Sequence, residues 1–291
     1  MKFIYPPLRF IAACLLLSVA LATSAGASPP AASAAVTYGI EYGRAAGESL
    51  LLDASVPPGN GPFPIAIIVH GGGWGSGDKH LDITGLFEPL TRAGFVWLSI
   101  NYRLAPAHRW PAGFEDVQTA IRWAKTHAAD YHGDPQRIAL IGYSAGGQLA
   151  SLAAIRGEDA TRVQAVVGLA PSTDLVADGG HRGKISSSLQ SLLGVPESLT
   201  DESLARLREI SPIDQVKPGL PPFLLIQGSA DQTILPEKTA GFAAKLKTMQ
   251  VPCEVITVQG ASHRLSEWDN FDPSYKLRMV EWLQRQLTAT R

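Results

Sequence analysis

Two glycine-rich segments carry the side chains and backbone groups with the clearest chemistry. Gly142-Tyr143-Ser144-Ala145-Gly146 stands between an apolar run ending at Ile141 and the helix-like Gln148-Leu149-Ala150-Ser151-Leu152-Ala153. A strand that turns sharply into a helix strains its turn residue and lifts that side chain clear of both elements. Glycines two positions to either side leave room for the turn, and the hydroxyl is presented at the helix N-terminus. Ser144 is therefore the candidate nucleophile. Upstream, His70-Gly71-Gly72-Gly73-Trp74 follows the apolar run Phe63 to Val69. Consecutive glycines let the backbone approach a substrate and turn N–H groups into a cavity. With the amide of Ala145, such a loop suits the negative oxygen of a tetrahedral intermediate. Either pattern alone is weak in a chain with 28 glycines, but the pair in this order is a specific signal.

A serine nucleophile needs a base and an acid to orient it. Of the seven histidines, only His263 lies late, in the loop Gly260-Ala261-Ser262-His263 after the last strand-like run. That position fits the chain order serine, acid, histidine. His127 and His132 fall at a helix end, and His70 belongs to the glycine loop, where a structural role is expected. For the acid, Asp231 in Gly228-Ser229-Ala230-Asp231-Gln232 directly follows the run Pro222 to Gln227. Asp174 also follows a strand, but one strand earlier. Asp201 and Asp214 read as capping or solvated residues. Asp231 is the choice, placed to fix the imidazole tautomer and stabilise the imidazolium. Asp78, His80 and Asp82 imitate a metal site without the ligand spacing of zinc, so no metal is expected. Arg103 and Asp116 are expected to brace the loop after the Phe95–Ile100 strand.

These residues require a scaffold that brings four chain segments together: His70–Trp74, Gly142–Gly146, Gly228–Gln232 and Gly260–His263. Leu50–Val56, Phe63–Val69, Phe95–Ile100, the run into Ser144, Val163–Leu169, Pro222–Gln227 and Glu254–Val258 read as strands. Helical spacing covers Ile83–Arg92, Phe114–Ala129, the segment after Ser144, Pro236–Met249 and Pro273–Leu287. Alternation of continuous apolar strands with helices predicts an α/β fold, a mostly parallel sheet with helices on both faces. In such sheets ligands bind beyond the carboxyl ends of the strands, where every candidate residue falls. Residues 178–217 interrupt the alternation with a polar, Ser-rich insertion holding one short helix at about Leu199–Leu207, either a lid or pocket wall or a surface excursion.

The N-terminus reads as a cleaved export signal. Lys2 and Arg9 precede an apolar stretch from Phe10 to Ala22, and Ala25-Gly26-Ala27 is a small-x-small cleavage site. The stretch is too short to span a bilayer comfortably, and Cys14 lies inside it, where lipid attachment is not expected. Cleavage after Ala27, a disordered lead-in at 28–35 and one domain over 36–291 follow, with a secreted or periplasmic location. Losing Lys2 and Arg9 moves the net charge from −1 to −3, with no basic patch to suggest nucleic acid. Cys253 is then left without a partner for a disulfide and reads as a buried, inert thiol.

The segments His70–Trp74, Asn101-Tyr102-Arg103-Leu104-Ala105-Pro106 and Gly142–Gly147 together resemble the hormone-sensitive-lipase-like branch of α/β-hydrolases. Ser76-Gly77-Asp78-Lys79 and Tyr143 before the serine look closer to acetyl and feruloyl carbohydrate esterases of that branch. The resemblance spans about residues 37 to 285. It implies an α/β-hydrolase fold, no cofactor, a Ser144–Asp231–His263 triad, and oxyanion donors among Gly72, Gly73 and Ala145. The implied activity is that of an exported serine carboxylesterase on short-chain or carbohydrate-linked acetyl or feruloyl esters. Its partners would be small-molecule or carbohydrate esters, with no stable membrane anchor. A serine amidohydrolase or peptidase, and a non-catalytic binding protein on the same fold, are the alternatives. Trp74 and Tyr143 are candidate substrate-binding aromatics. Two positions depart from the branch: Tyr143 stands where lipase-like members have Asp, and the proline usual four residues after the acid is Pro236, one later.

Overall fold

The computed structural model describes residues 1–4 and 34–288. The leader expected at 1–27 lies outside the described residues beyond position 4, as does the lead-in at 28–35 before Ala34. Ala35 already opens the first strand, β1 (Ala35–Ala45), which the sequence pattern did not reveal. The strands that follow are β2 (Glu48–Val56), β3 (Phe63–Val69), β4 (Val96–Ile100), β5 (Gly133–Tyr143), β6 (Ala165–Leu169), β7 (Phe223–Gly228) and β8 (Cys253–Val258). They form one eight-stranded sheet in the order β1-β2-β4-β3-β5-β6-β7-β8. β2 runs antiparallel to both of its neighbours, and all pairs from β4 through to β8 are parallel.

The continuous apolar strands feed two cores, because successive side chains leave a strand on opposite faces. Ile65, Ile67 and Val69 of β3 join one cluster, and Ala66 and Ile68 join the other. The helices in chain order are α1 (Phe87–Arg92), α2 (Ala112–Thr126), α3 (Ala145–Ile155), α4 (Leu175–Arg182), α5 (Ser187–Leu193), α6 (Asp201–Ile210), α7 (Pro236–Thr248) and α8 (Tyr275–Gln286). α2, α3 and α7 pack with the first cluster through Phe114, Val117, Leu149, Phe242 and Leu246. α1 and α8 close the other face with Leu90, Met279 and Trp282. All eleven residues of α3 are buried, so this helix is enclosed on every side. The mostly parallel α/β sheet and the two-sided helix cover match the expected architecture.

The segment expected as a polar insertion with one helix is instead three helices, α4, α5 and α6, followed by a 3-10 turn at Pro212–Gln215. Its serines and threonine partly cap these helices. Ser186 accepts from the Leu189 N–H, and Thr200 and Ser203 form a reciprocal capping box. Leu175, Ile185, Leu189, Leu192, Leu207 and Ile210 from this segment sit inside the first core cluster. It is integral to the domain.

Candidate active site

Each candidate residue stands at the carboxyl edge of the parallel strands. β5 runs into α3 through Ser144, whose φ of 53° and ψ of −117° lie in a region a side-chain-bearing residue adopts only under constraint. The constraint is visible on both sides. A methyl at Gly142 would stand 2.3 Å from the carbonyl oxygen of Gly146. One at Gly146 would stand 2.3 Å from those of Val69 and His70. The Ser144 N–H is held by the Leu169 carbonyl at the end of β6, at 2.9 Å.

A continuous hydrogen-bonded chain leaves the serine hydroxyl. Ser144 Oγ is 2.9 Å from His263 Nε2, and His263 Nδ1 is 2.8 Å from Asp231 Oδ2. Asp231 is fully buried, and its carboxylate collects three further donors. The N–H groups of Thr233 and Ile234 reach Oδ1 at 2.8 and 2.9 Å, and Gln227 Nε2 reaches Oδ2 at 2.9 Å. Burial opposes ionisation of Asp231, but the His263 contact and the backbone N–H groups outweigh it and hold the carboxyl below its usual range. Gln227 is in turn oriented by Thr239, whose hydroxyl donates to its Oε1 at 2.7 Å. No motif marks Gln227 or Thr239; a buried amide at the last turn of an apolar strand was the available signal.

Tyr143 departs from its expected role. It is buried, its hydroxyl donates to the His263 carbonyl at 2.8 Å, and it does not line the cleft in front of Ser144. It braces the histidine loop, as does Trp268, which donates to the Ser262 carbonyl at 2.8 Å. Trp74 does line the cleft, but its indole N–H is committed to Gln148 Oε1 at 2.9 Å, so it presents only ring surface to a ligand.

Gly73 and Ala145 line the cleft beside Ser144, whereas Gly72 does not. Gly72 shapes the loop: its φ is +105° and its carbonyl accepts from the Ser76 hydroxyl and the N–H groups of Gly75 and Ser76. Among the described residues the N–H groups of Gly72 and Gly73 donate to no backbone carbonyl. The Ala145 N–H belongs to the first turn of α3, whose donors have no intrahelical acceptor. Donors are thus free on both sides of the hydroxyl.

His70 supports this loop from behind. It is 1% exposed, its ring stacks on Tyr102 at 4.3 Å, and Nδ1 lies 2.7 Å from the Gly71 carbonyl. That contact requires the proton on Nδ1, and burial pushes the imidazole pKa down to about 4. Arg103 makes a two-nitrogen contact with buried Asp116, whose carboxylate also accepts the Arg103 N–H at 2.8 Å, bracing the loop after β4 as expected.

The cleft holds about 200 Å³ and is walled on one side by α4 and α5. Asp174 lines it and caps α4 through the Ala177 N–H at 2.9 Å, away from His263. Lys238 also lines it. Among the described residues no group of three or more potential ligands is placed to hold a metal. His80 Nε2 lies 2.6 Å from buried Asp53, alongside Lys79 Nζ at 3.3 Å. Cys253, expected as a buried, inert thiol, is half-buried on the edge strand, and desolvation pushes its thiol up to about 12.

An imidazole between a hydroxyl and an ionised carboxylate can take the hydroxyl proton as the oxygen bonds to carbon, with the carboxylate stabilising the imidazolium. The BD-FAE family profile matches residues 52–246, more than half of the chain. The esterase LipC of Mycobacterium tuberculosis is 34% identical over 215 residues, covering 69% of this chain and 53% of LipC. The chain spans about half the length of the curated relatives it matches. Among solved structures, a truncated carbohydrate esterase from gut microbiota superposes with a TM-score of 0.75 at 24% identity, covering 88% of this chain and 97% of that one. An acetyl ester-xyloside bifunctional hydrolase from Caldicellulosiruptor lactoaceticus gives 0.70 at 24% identity, covering 82% and 88%. The sheet order, the strained elbow and the profile match together identify the chain as a member of the BD-FAE family of α/β-hydrolases.

Proposed function

We propose that the protein is a serine carboxylesterase that hydrolyses short-chain and carbohydrate-linked acetyl esters. Ser144 Oγ attacks the ester carbonyl while His263 Nε2 takes its proton, and Asp231 holds the imidazolium. The N–H groups of Gly73 and Ala145 receive the oxyanion, within a loop shaped by Gly72. The alcohol leaves with the proton from His263, and water attacks the acyl-enzyme through the same base. The observation that carries this reading is the unbroken chain of 2.9 and 2.8 Å contacts from Ser144 through His263 to a buried carboxylate.

Two features bear on the substrate. A cleft of about 200 Å³ is smaller than the roughly 300–1,000 Å³ of sites for drug-sized ligands, which favours acetyl over octanoyl or feruloyl acyl groups. Its rim of Ser186, Ser188, Asp174 and Lys238 suits an alcohol rich in hydroxyls. The two structural neighbours, a carbohydrate esterase and an acetyl ester-xyloside bifunctional hydrolase, point the same way. Turnover of acetyl, butyryl, octanoyl and feruloyl p-nitrophenyl esters and of acetylated xylan tests the reading. Acetyl esters should be preferred and Ser144→Ala should abolish turnover; turnover surviving that substitution, or absent on every ester, refutes it. Export, proposed from the N-terminal pattern, is tested by sequencing the N-terminus of the protein recovered outside the cytoplasm, expected at Ser28.

A further inference from the structure

The oxyanion loop contains a strained residue that its own glycines do not explain. Trp74 follows Gly73 with a φ of +61°, a conformation a bulky side chain occupies only when its surroundings fix it. Two contacts do so. The Trp74 carbonyl accepts the Ala105 N–H at 2.9 Å, and its indole N–H reaches Gln148 Oε1 at 2.9 Å. Gln148 sits four residues after Ser144 on α3 and is 0% exposed. Its other end, Nε2, donates at 2.8 Å to the carbonyl of Ile210, the last residue of α6. The orientation of this amide is chemically determined: an indole N–H only donates and a carbonyl only accepts. The segment 175–215 touches the loop again at α5, where a methyl on Gly73 would come within 2.9 Å of Ser188 Oγ.

We propose that Gln148 is a positioning residue through which the helical segment 175–215 fixes the oxyanion loop, by the path Ile210–Gln148–Trp74. The segment is then a rigid buttress of the Gly73 donor. Releasing the indole lets Trp74 leave its strained conformation, and the Gly73 N–H moves with it. The nucleophile and the oxyanion donors share one buried helix as their common reference. The inference rests on the esterase reading for its kinetic consequences and on geometry alone for the coupling.

The test is a double-mutant cycle of Gln148→Met, which keeps length and volume but loses both polar ends, with Trp74→Phe, which keeps an aromatic ring but loses the N–H. Losing an oxyanion donor costs about 100- to 1,000-fold, so displacing one should lower kcat on p-nitrophenyl acetate by about 10- to 100-fold in Gln148→Met. KM should stay within about threefold, and affinity for a trifluoromethyl ketone should fall in step with kcat/KM, because only the tetrahedral state uses the donor. The double variant should be no slower than the slower single variant. A wild-type kcat in Gln148→Met, or single effects that multiply, overturns the coupling. Hydrogen exchange of the Trp74 indole proton in the unaltered protein gives a reading independent of turnover and of mutant folding. Slow exchange is expected and exchange at the rate of an exposed indole overturns the proposal. An unaltered chain inactive on all esters refutes the esterase assignment instead, with the exchange result standing apart from it.

Discussion

Lowering the pH from 7 to 5 should weaken this fold through His70. The imidazole is 1% exposed, Nδ1 is committed to the Gly71 carbonyl, and among the described residues Nε2 has no hydrogen-bond partner. A second proton would go to Nε2 between the Tyr102 ring and the glycine loop, where the Gly71 carbonyl and the Asp78 charge favour it but do not offset the burial. Burial therefore pulls the folded-state pKa down from 6.5 to about 4. Between those values the unfolded chain binds more protons than the folded one, so stability is full above about pH 6.5 and declines as pH falls towards 4. Below pH 4 the contribution levels off. One unit is worth about 1.4 kcal/mol, so the shift caps the loss at about 3 kcal/mol, of which about 2 is reached by pH 5. Urea unfolding at pH 7 and 5, for the unaltered chain and for His70→Gln, isolates this group, since glutamine does not titrate. The unaltered chain should lose about 2 kcal/mol more than the variant over that interval. Equal losses would show that His70 is not held neutral by its burial. Because the ring supports the glycine loop, ester turnover should decay along with stability.

Three other outcomes are expected. Asp231→Asn should reduce kcat on p-nitrophenyl acetate by about 10,000-fold with little change in KM, because the amide favours the wrong imidazole tautomer; active-site titration confirms that the sites are intact. Gln227→Leu leaves Asp231 three of its four donors and should cost about tenfold in kcat, consistent with losing one hydrogen bond to a charged group; unchanged kinetics would make Gln227 a packing residue only. Gly146→Ala drives a methyl to 2.3 Å from two carbonyl oxygens, so soluble yield should collapse, or the melting temperature fall by more than about 10 °C for a cost above 3 kcal/mol.

The sequence and the structure agree where one residue type has one physical use. β3 spans the residues its apolar run suggests, because a strand covered on both faces admits little else. Order and strand position single out Ser144, Asp231 and His263, and the structure brings these three side chains into one hydrogen-bonded row. β1 was not legible: Gly39 and Gly43 interrupt it, its pairing with β2 shifts register twice, and side chains such as Tyr38 face solvent. Of the helices in 175–215, α6 was legible at about Leu199–Leu207, whereas α4 and α5 were hidden by polar caps, Asp174 and Ser186, that read equally well as loop. Gln148 and Gln227 were missed because a glutamine is ordinary on a surface and acquires meaning only once burial leaves its amide to be satisfied. Tyr143 reads from its type as an aromatic for a sugar or aromatic pocket, whereas its hydroxyl is committed to the His263 carbonyl.

Helix α3, enclosed on all sides, has a consequence for how this protein can diversify. No residue on it faces water, so nearly every substitution there trades packing for nothing, and sequence drift behind the nucleophile should be suppressed. Variation that retunes which ester is accepted must enter through the rim formed by α4, α5 and the start of α7. A directed-evolution library confined to cleft-facing positions that cap no helix, such as Ser188 and Lys238, would sample specificity at little cost to stability, whereas Asp174 and Ser186 also cap α4 and α5.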